Sequence, residues 1–341
     1  GGHARRNMRG KLIAITGSAG KTTAVAMMAH ALAPWGAVGQ TRHNANLPHG
    51  IAWNLASIAW DTPHIVLELA IGRMARNARL AQPDVAIFTN ILPAHLLYHG
   101  TLETVADRKS AIFEGMAPGS TAVLNRDMDQ WERVHAAAKA RELDIIHYGR
   151  TADSDFRLLD YDAKAGMVTA RLGDREVRYA LGAAGEHMAL NSLAVLAAVS
   201  ALGHDLDRAI ATVADFAPVA GRGVELDVTL AGRRITLIDE AYNANPGSMA
   251  AAFALLGEKP GRRIALLGEM LELGDDAAAY HTALAPLIAQ HGFDHVYALG
   301  DLYAGFAAQL PGRVTRLESL DAAKRALRAD LRDQGRERGV I

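Results

Sequence analysis

Short apolar runs alternate with longer, alanine-rich stretches through the first half of the chain. The runs at residues 12–15, 64–69, 85–90 and 121–125 have the length and composition of buried β-strands, and a helix is predicted at 23–32. Strands that alternate with helices are typical of a parallel sheet covered on both faces. The pattern therefore predicts an α/β domain with a mostly parallel sheet.

The pattern changes between residues 155 and 181. Apolar and polar residues alternate there with a period of two, and turn-forming sequences stand at 164–166 and 172–174. These features predict a small antiparallel β insert. A buried helix is predicted to follow at residues 189–202.

A stretch rich in glycine and proline at residues 217–223 interrupts the pattern and is predicted to be a linker. Strand-like runs at 235–239, 263–267 and 295–299 then begin a second α/β series. We therefore place a residual linker at 1–11, a first domain at 12–220 and a second domain at 221–341. Val340 and Ile341 have the composition of a strand start, and we expect elements to be missing at both ends.

Composition narrows the classes of function. The formal net charge is −1, so we expect neither nucleic acid nor an anionic membrane as the main partner. The chain has no cysteine, which excludes disulfides, thiolate metal sites and a cysteine nucleophile. No apolar run approaches the roughly 20 residues of a membrane span, and residues 1–9 do not resemble a signal peptide. We expect a cytoplasmic protein.

The most specific motif is the run Thr-Gly-Ser-Ala-Gly-Lys-Thr-Thr, between the first strand and the first helix. Gly17 and Gly20 let the backbone turn its N–H groups toward an anion, and the helix adds the positive end of its dipole. Lys21 is expected to reach the outer phosphates of ATP or GTP, and Thr22 to offer its hydroxyl to Mg²⁺. The nucleotide-binding set also includes Ser18, Ala19 and Thr23. Only two residues separate the glycines, which departs from the common phosphate loop.

Further polar groups follow other predicted strands. Glu68 ends one strand, where a carboxylate can share Mg²⁺ with Thr22. A second group contains Thr89, Asn90, His95, Glu103, Lys109 and Glu114, and a third runs from residue 239 to 246. A lone histidine is more often structural and a lone lysine more often solvated. Together, however, these groups could surround one cleft between the two domains.

These residues carry a resemblance to the Mur ligase family. It rests on the phosphate loop, Asn44, Asn46 and Gly50, the Thr89–Asn90–Ile91 run with His95, Lys109, the run 239–246, and the run 268–274 with His281. Within the family, the Tyr-Asn-Ala-Asn-Pro and Glu-Leu-Gly runs are most similar to members that add D-alanyl-D-alanine. The match covers nearly the whole chain in the same order. It implies a central ATPase domain and a C-terminal Rossmann-like domain.

The resemblance also implies a mechanism. ATP phosphorylates a substrate carboxylate, and an amine then attacks the acyl phosphate to form an amide, which needs no protein nucleophile. The implied catalytic residues are Lys21, His95, Lys109 and Arg222. Two Mg²⁺ ions are implied, held by Thr22, Glu68, His95 and Lys109 as a carbamate, because an ammonium cannot ligate a cation.

The remaining implied residues bind ATP or the substrates. Arg222 is implied at the ATP phosphates and Asp239 at the ribose, with Asn191 and Asn243 also in the ATP set. The implied substrate residues are Asn44, Asn46, Tyr242 and Asn245. The partners are a small carboxylate and an amine, and a monomer is expected.

Some positions depart from the family pattern. Met188 stands where the family commonly has an asparagine for adenine, so Asn191 alone is expected to make that contact. Glu240 follows Asp239 where an aspartate is more usual. The N-terminal domain that grips a uridine nucleotide is not part of this sequence, so it is either separate or missing.

Three functions stay open on the sequence. The first is a ligase of peptidoglycan precursor synthesis. The second is a Mur-like ligase of a specialised or cyanophycin-like pathway, whose substrate carries no uridine nucleotide. The third is a nucleotide-binding subunit that has lost ligation.

Overall fold

The structure is a computed structural model that describes residues 1–230, 232–333 and 339–340. The chain forms two compact units. The first contains residues 1–92 and 99–217, and the second contains residues 93–98 together with the described residues from 218 onward. Within the described part of the chain, no helix has both the length and the apolar character needed to span a bilayer.

The first unit is built on a nine-stranded sheet. Its strands are β1 (Lys11–Thr16), β2 (Val38–Gln40), β3 (His64–Glu68), β4 (Val85–Phe88), β5 (Thr121–Asn125), β6 (Asp144–Gly149), β7 (Phe156–Asp162), β8 (Met167–Leu172) and β9 (Arg175–Ala180). Their order across the sheet is β2-β3-β1-β4-β5-β6-β7-β8-β9. The strands from β2 to β7 pair in parallel. The mostly parallel sheet predicted from the apolar runs is therefore confirmed.

The helices of the first unit and of the 93–99 stretch connect most of the parallel strands, precede β1 or follow β9. They are α1 (Gly2–Asn7), α2 (Lys21–Leu32), α3 (Pro48–Ser57), α4 (Met74–Ala81), α5 (Leu96–His99), α6 (Leu102–Ser110), α7 (Trp131–Lys139), α8 (Glu186–Ala201) and α9 (Leu206–Val213). Helices α2 and α8 pack together in the main core, where Ile13, Met27 and Leu193 are fully buried. Helix α8 is buried along most of its length, as its composition predicted.

The antiparallel insert forms as predicted. Strands β7, β8 and β9 pair antiparallel and extend the edge of the same sheet. Leu158, Val168 and Ala170 are buried while intervening residues are not, which explains the period of two. Strands β2 and β6 were not predicted, and residues 2–7, within the stretch interpreted as a linker, form helix α1 with Ala4 buried.

The second unit contains a six-stranded sheet. Its strands are β10 (Val224–Leu230), β11 (Arg233–Asp239), β12 (Arg262–Leu267), β13 (His295–Leu299), β14 (Val314–Leu317) and β15 (Gly339–Val340), in the order β10-β11-β15-β12-β13-β14. Only β10 runs antiparallel to its neighbour among the described pairings. The strand start predicted at Val340 is confirmed, and Ile341 lies outside the described residues. Strands β10 and β14 were not predicted.

The described residues from 218 onward also form five α-helices: α10 (Pro246–Gly257), α11 (Ala277–Thr282), α12 (Ala285–Gln290), α13 (Ala304–Gln309) and α14 (Leu320–Asp333). One core lies around Phe253, Ile288 and Phe306, which are all at most 2% exposed. Parallel strands joined by helices make this unit Rossmann-like. The predicted fold class, a mostly parallel α/β domain followed by a Rossmann-like α/β domain, is therefore confirmed.

Candidate functional site

The phosphate loop lies between β1 and α2, in a backbone shape that requires glycine. Gly17 and Gly20 have φ values of +144° and +79°. A Cβ atom added to Gly17 would lie 1.8 Å from the Thr89 hydroxyl oxygen. No other residue fits at position 17, because the contact is far shorter than any real Cβ makes and the backbone is in a region that disfavours side chains.

The end of strand β4 holds this loop in place. The Ser18 N–H donates to the Asn90 carbonyl at 3.0 Å, and the Ala19 N–H donates to the Asn90 side-chain oxygen at 2.8 Å. The Thr89 hydroxyl donates to the Ala19 carbonyl at 2.7 Å. Since β4 pairs directly with β1, the two strand ends meet at one edge of the sheet. Thr89 and Asn90 therefore support the loop, a role that their local sequence did not predict.

Lys21 begins helix α2 and folds back over the loop. Its Nζ donates to the Gly17 carbonyl at 2.9 Å and lies 3.4 Å from the Ser18 carbonyl. Among the described residues, no side chain caps the N-terminus of α2. Backbone N–H groups of a first helical turn and an adjacent ammonium form a site for an anion such as phosphate.

Glu68 stands at the end of β3, on the other side of β1. Its side chain is 3% exposed, and its Oε2 accepts from the Thr22 hydroxyl at 2.6 Å. Its Oε1 accepts from the Asn46 amide at 2.8 Å, and that amide also donates to Asn44 Oδ1. The polar segment that contains Asn44 and Asn46 is thus joined to the Glu68 carboxylate.

The donors around Glu68 fit one Mg²⁺. The Thr22 hydroxyl is hydrogen-bonded to the Glu68 carboxylate, so the two oxygens are already adjacent, and both are hard ligands of the kind that Mg²⁺ prefers. Across residues 1–230, 232–333 and 339–340, no group of three or more His, Asp or Glu side chains could hold a metal ion. This set suits Mg²⁺ shared with a nucleotide, because Mg²⁺ is usually bound by one or two carboxylates and by substrate phosphates.

Glu68→Gln is expected to raise the Mg²⁺ concentration for half-maximal turnover by roughly 100-fold, because an amide oxygen carries no charge. A Mg²⁺ titration of ATP-dependent phosphate release measures this change. Glu132→Gln is the matched control, since Glu132 is an exposed carboxylate in the first turn of helix α7. An unchanged Mg²⁺ requirement in Glu68→Gln would show that this carboxylate binds no cation.

Lys109 lies on helix α6 with its side chain fully buried. Its Nζ donates to the Gly17 carbonyl at 2.8 Å, so two lysine amines contact one carbonyl oxygen. Burial lowers the pKa of Lys109 well below its usual value, and the charge of Lys21 lowers it further, while Glu68 opposes the shift. A buried lysine with a lowered pKa holds more of its neutral, nucleophilic amine than an exposed one.

Asn191 and Met188 lie on helix α8 in different surroundings. A Cβ added to Gly20 would lie 3.3 Å from Asn191 Oδ1, so the asparagine amide is beside the phosphate loop. Met188 is 2% exposed and belongs to the main core of the first unit. Its side chain contributes to packing, and position 188 offers no polar group beside the loop.

In the second unit, Arg222 and the residues after β11 form another cluster. The Arg222 guanidinium carbon lies 4.1 Å from the centroid of the Tyr242 ring. The Asp239 carboxylate accepts from the Gly221 N–H at 3.1 Å and from the Ala241 N–H at 3.2 Å. Burial raises the pKa of Glu240 to about 7, Arg222 opposes this shift, and Asp239 adds to it. The predicted residues Arg222, Asp239 and Tyr242 are therefore brought together.

Asn243 and Asn245 differ in their surroundings. Asn243 is exposed, whereas Asn245 is 4% exposed and caps helix α10. Asn245 Oδ1 accepts from the Ser248 N–H at 2.9 Å, and the Ser248 hydroxyl accepts from the Asn245 N–H at 3.0 Å. This capping box gives Asn245 a structural role at the start of the helix.

His95 belongs to the second unit, within residues 93–98. Its Nδ1 lies 2.5 Å from Glu272 Oε2. Glu272 is part of the run 268–274, which carries the family resemblance and for which no chemical role was predicted. His281, from the same resemblance, is fully buried and accepts the Met270 N–H at 2.9 Å on Nε2.

Known proteins match both parts of the chain. Residues 15–199 match the Mur ligase middle domain, and residues 226–340 match the Mur ligase glutamate ligase domain. The UDP-N-acetylmuramoyl-tripeptide–D-alanyl-D-alanine ligase of Rickettsia prowazekii is 28% identical over 92% of this chain and 70% of its own length. The enzyme of the same name from Escherichia coli is 31% identical over 87% of this chain and 66% of its own length.

Solved structures of other proteins are also similar to this chain. The crystal structure of MurF from Acinetobacter baumannii is 26% identical with a TM-score of 0.92, over 99% of this chain and 74% of that one. MurF from Thermotoga maritima, solved in complex with ADP, has the same fold with a TM-score of 0.84, 24% identity, and coverage of 99% of this chain and 77% of that one. The chain spans 58 to 70% of the length of the first curated relatives. The resemblance inferred from the motifs is confirmed, and the chain belongs to the Mur ligase family.

Proposed function

We propose that this protein is an ATP-dependent carboxylate–amine ligase of the MurF type, acting in the synthesis of a peptidoglycan precursor. The observation that carries the proposal is the cluster at one sheet edge: Lys21 over the phosphate loop, Thr22 on the buried Glu68, and the buried Lys109 amine on Gly17. The names of the similar enzymes support a UDP-N-acetylmuramoyl tripeptide as the acyl donor and D-alanyl-D-alanine as the amine.

The proposed reaction has two steps. A carboxylate oxygen of the acyl donor attacks the γ-phosphorus of ATP, and ADP leaves. The amine nitrogen then attacks the acyl carbon, phosphate leaves with the bonding electrons, and the amine proton passes to solvent or phosphate. Phosphate is the leaving group, so the reaction suits a chain that has no cysteine nucleophile.

Lys21 and the loop residues Gly17, Ser18, Ala19, Gly20, Thr22 and Thr23 are proposed to hold the ATP phosphates. The backbone N–H groups at the start of α2 and the Lys21 ammonium counter the negative charge that the transferred phosphoryl group shares with its oxygens. Asn191, which lies beside Gly20, is proposed to contact adenine. Because Met188 is buried in the core, the Asn191 amide makes this contact alone.

Mg²⁺ supplies charge neutralisation between the phosphates when it is bound. Thr22 and Glu68 are proposed to hold one ion, and the family resemblance assigns His95 and Lys109 as Mg²⁺ ligands as well. For Lys109 we propose a carbamate, formed when the neutral amine attacks CO₂ and releases a proton. The lowered pKa of Lys109 supports this proposal, because only the neutral amine attacks CO₂.

The remaining predicted residues are assigned by the family resemblance. Arg222 is proposed to bind the ATP phosphates, Asp239 the ribose, and Asn243 the nucleotide. The proposed substrate residues are Asn44, Asn46, Tyr242 and Asn245. In this proposal Asn46 acts by its hydrogen bond to Glu68, and Asn245 acts by capping the start of helix α10. We propose domains at 12–220 and 221–341, a monomer, and a cytoplasmic location, where ATP is supplied.

Phosphate release from ATP is expected to require both a carboxylate and an amine substrate. A phosphate-release assay on the chain, with a panel of acyl donors and amines, measures this dependence. Steady ATP hydrolysis without either substrate would contradict ligation. Turnover only with donors that lack a uridine nucleotide would favour the specialised or cyanophycin-like pathway, and nucleotide binding without turnover on any pair would favour a subunit that has lost ligation.

A further inference from the structure

Two short segments of the second unit meet at His95 and Glu272. The His95 ring Nδ1 lies 2.5 Å from the Glu272 Oε2, and the Leu97 N–H donates to the Glu272 carbonyl at 3.1 Å. Glu272 therefore contacts the segment 93–98 with its side chain and with its main chain. Contacts of both kinds fix the position of the His95 ring more closely than a side-chain contact alone.

Both residues have an unusual backbone conformation. His95 has a φ of +60° and Glu272 a φ of +62°, and neither is a glycine. Left-handed backbone is sparsely populated by residues with a side chain, and it persists where the surrounding structure enforces it. Residues in this conformation cluster at functional sites, so their direct contact indicates a function for the pair.

The run that carries Glu272 is anchored on both sides. Met270 and Leu273 are 1% and 2% exposed in the core of this unit. The Met270 N–H donates to the Nε2 of the buried His281, whose Nδ1 donates to the Ala277 carbonyl at 2.7 Å. Glu272 is thus an exposed carboxylate on a main chain that buried neighbours hold in place.

We infer that Glu272 is a positioning residue for His95. An ionised carboxylate only accepts hydrogen bonds, so Nδ1 must carry the ring proton, and the lone pair of the neutral ring is on Nε2. A carboxylate on the second nitrogen of a metal-binding histidine fixes its tautomer and orientation in this way. The inference rests on the proposed function, which gives His95 to Mg²⁺.

Stability alone is a poor explanation for the pair. The His95 and Glu272 side chains are 33% and 41% exposed, and ion pairs at that exposure contribute little to the free energy of unfolding. Removing the carboxylate should leave the fold intact. A change in the His95 ring can then be measured in a folded protein.

The test compares Glu272→Ala and Glu272→Gln with the unchanged chain. At pH 8, where an ordinary imidazole is neutral, ¹⁵N NMR of histidine-labelled protein reports the tautomer of His95, assigned by loss of its signals in His95→Gln. We expect the Nδ1–H tautomer in the unchanged chain and a mixture in Glu272→Ala. Glu272→Gln should keep much of the Nδ1–H tautomer, because the amide oxygen of glutamine can accept a hydrogen bond from Nδ1.

The second measurement is the Mg²⁺ requirement of phosphate release. Glu272→Ala should raise the Mg²⁺ concentration for half-maximal turnover by roughly 10- to 100-fold, with a smaller change in kcat at saturating Mg²⁺ and an unchanged melting temperature. Asp275→Asn is the matched control, since it removes an exposed carboxylate from the same part of the chain.

The outcomes separate this inference from the proposed function. An unchanged His95 tautomer in Glu272→Ala overturns the positioning role, whatever the activity. A changed tautomer with an unchanged Mg²⁺ requirement overturns the link to the metal. If the chain ligates no substrate pair, the proposed function fails, yet the tautomer measurement still decides whether Glu272 orients the ring.

Discussion

Lys21→Ala is expected to abolish ligation, with a fall in kcat of roughly 1000-fold, the size typical for loss of a group that stabilises charge in a transition state. Lys21 is the ammonium that starts α2 and folds over the phosphate loop, 2.9 Å from the Gly17 carbonyl. In the proposed reaction it moves to the transferred phosphoryl group, where negative charge is spread over the oxygens. Single-turnover phosphate release measures the loss.

The matched control for this prediction is Lys139→Ala. Lys139 is an exposed lysine near the end of helix α7, so its removal changes the net charge equally without touching the loop. Both variants should melt within a few degrees of the unchanged chain. Normal turnover by Lys21→Ala would remove the phosphate loop from the mechanism, and binding of ATP analogues would then have to be mapped elsewhere.

Lys109→Ala is expected to lose activity by at least roughly 100-fold and to recover part of it when short carboxylic acids are added. The buried amine of Lys109 lies 2.8 Å from the Gly17 carbonyl, and its removal leaves a cavity beside the loop. A small carboxylate that enters this cavity replaces the oxygen ligands of a carbamate. Activity measured against the concentration of formate or acetate gives the rescue.

Substitution of Lys109 is expected to affect the free energy of unfolding differently from the ligase activity. The pKa of Lys109 is lowered in the folded protein, so unfolding takes up a proton at any pH below its ordinary pKa and above its folded one. In buffer free of CO₂, this group therefore makes the folded state less stable as the pH falls through that window. Lys109→Met keeps the volume without the amine, so it should remove this pH dependence and unfold no more easily at pH 7, while remaining inactive.

The carbamate itself can be observed. Protein equilibrated with ¹³C-labelled bicarbonate should show a carbamate resonance that Lys109→Met lacks. Absence of that resonance from the unchanged chain, together with no rescue of Lys109→Ala by any short acid, would overturn the carbamate proposal. Rescue by acids that are too bulky for the cavity would indicate an effect unrelated to Lys109.

The apolar runs in the sequence predicted the central strands well, because those strands are buried and their apolar residues are continuous. Strands β1, β3, β4 and β5 lie where the runs at 12–15, 64–69, 85–90 and 121–125 predicted them. Strands β2 and β10 were missed because they lie at sheet edges, where fewer side chains are buried and the apolar signal is weak.

The roles of individual polar residues were harder to predict, since they depend on contacts between distant parts of the chain. Asn90 holds Ser18 and Ala19, more than 70 residues away, and Glu272 holds His95, 177 residues away. Asn245, predicted to bind substrate, also caps α10. A strand-end asparagine or an exposed glutamate gives no sign of its partner in the local sequence.

The sequence by itself determined the family, the two α/β parts and the phosphate loop, because each depends on residue types at short, ordered spacings. Only the tertiary structure decided the state of the reactive groups. Lys109 has a lowered pKa because folding buries its amine beside Lys21, and the ring proton that we infer on Nδ1 of His95 depends on Glu272, which folding places against that nitrogen. Burial and long-range contact set protonation, and neither is encoded at one position of the chain.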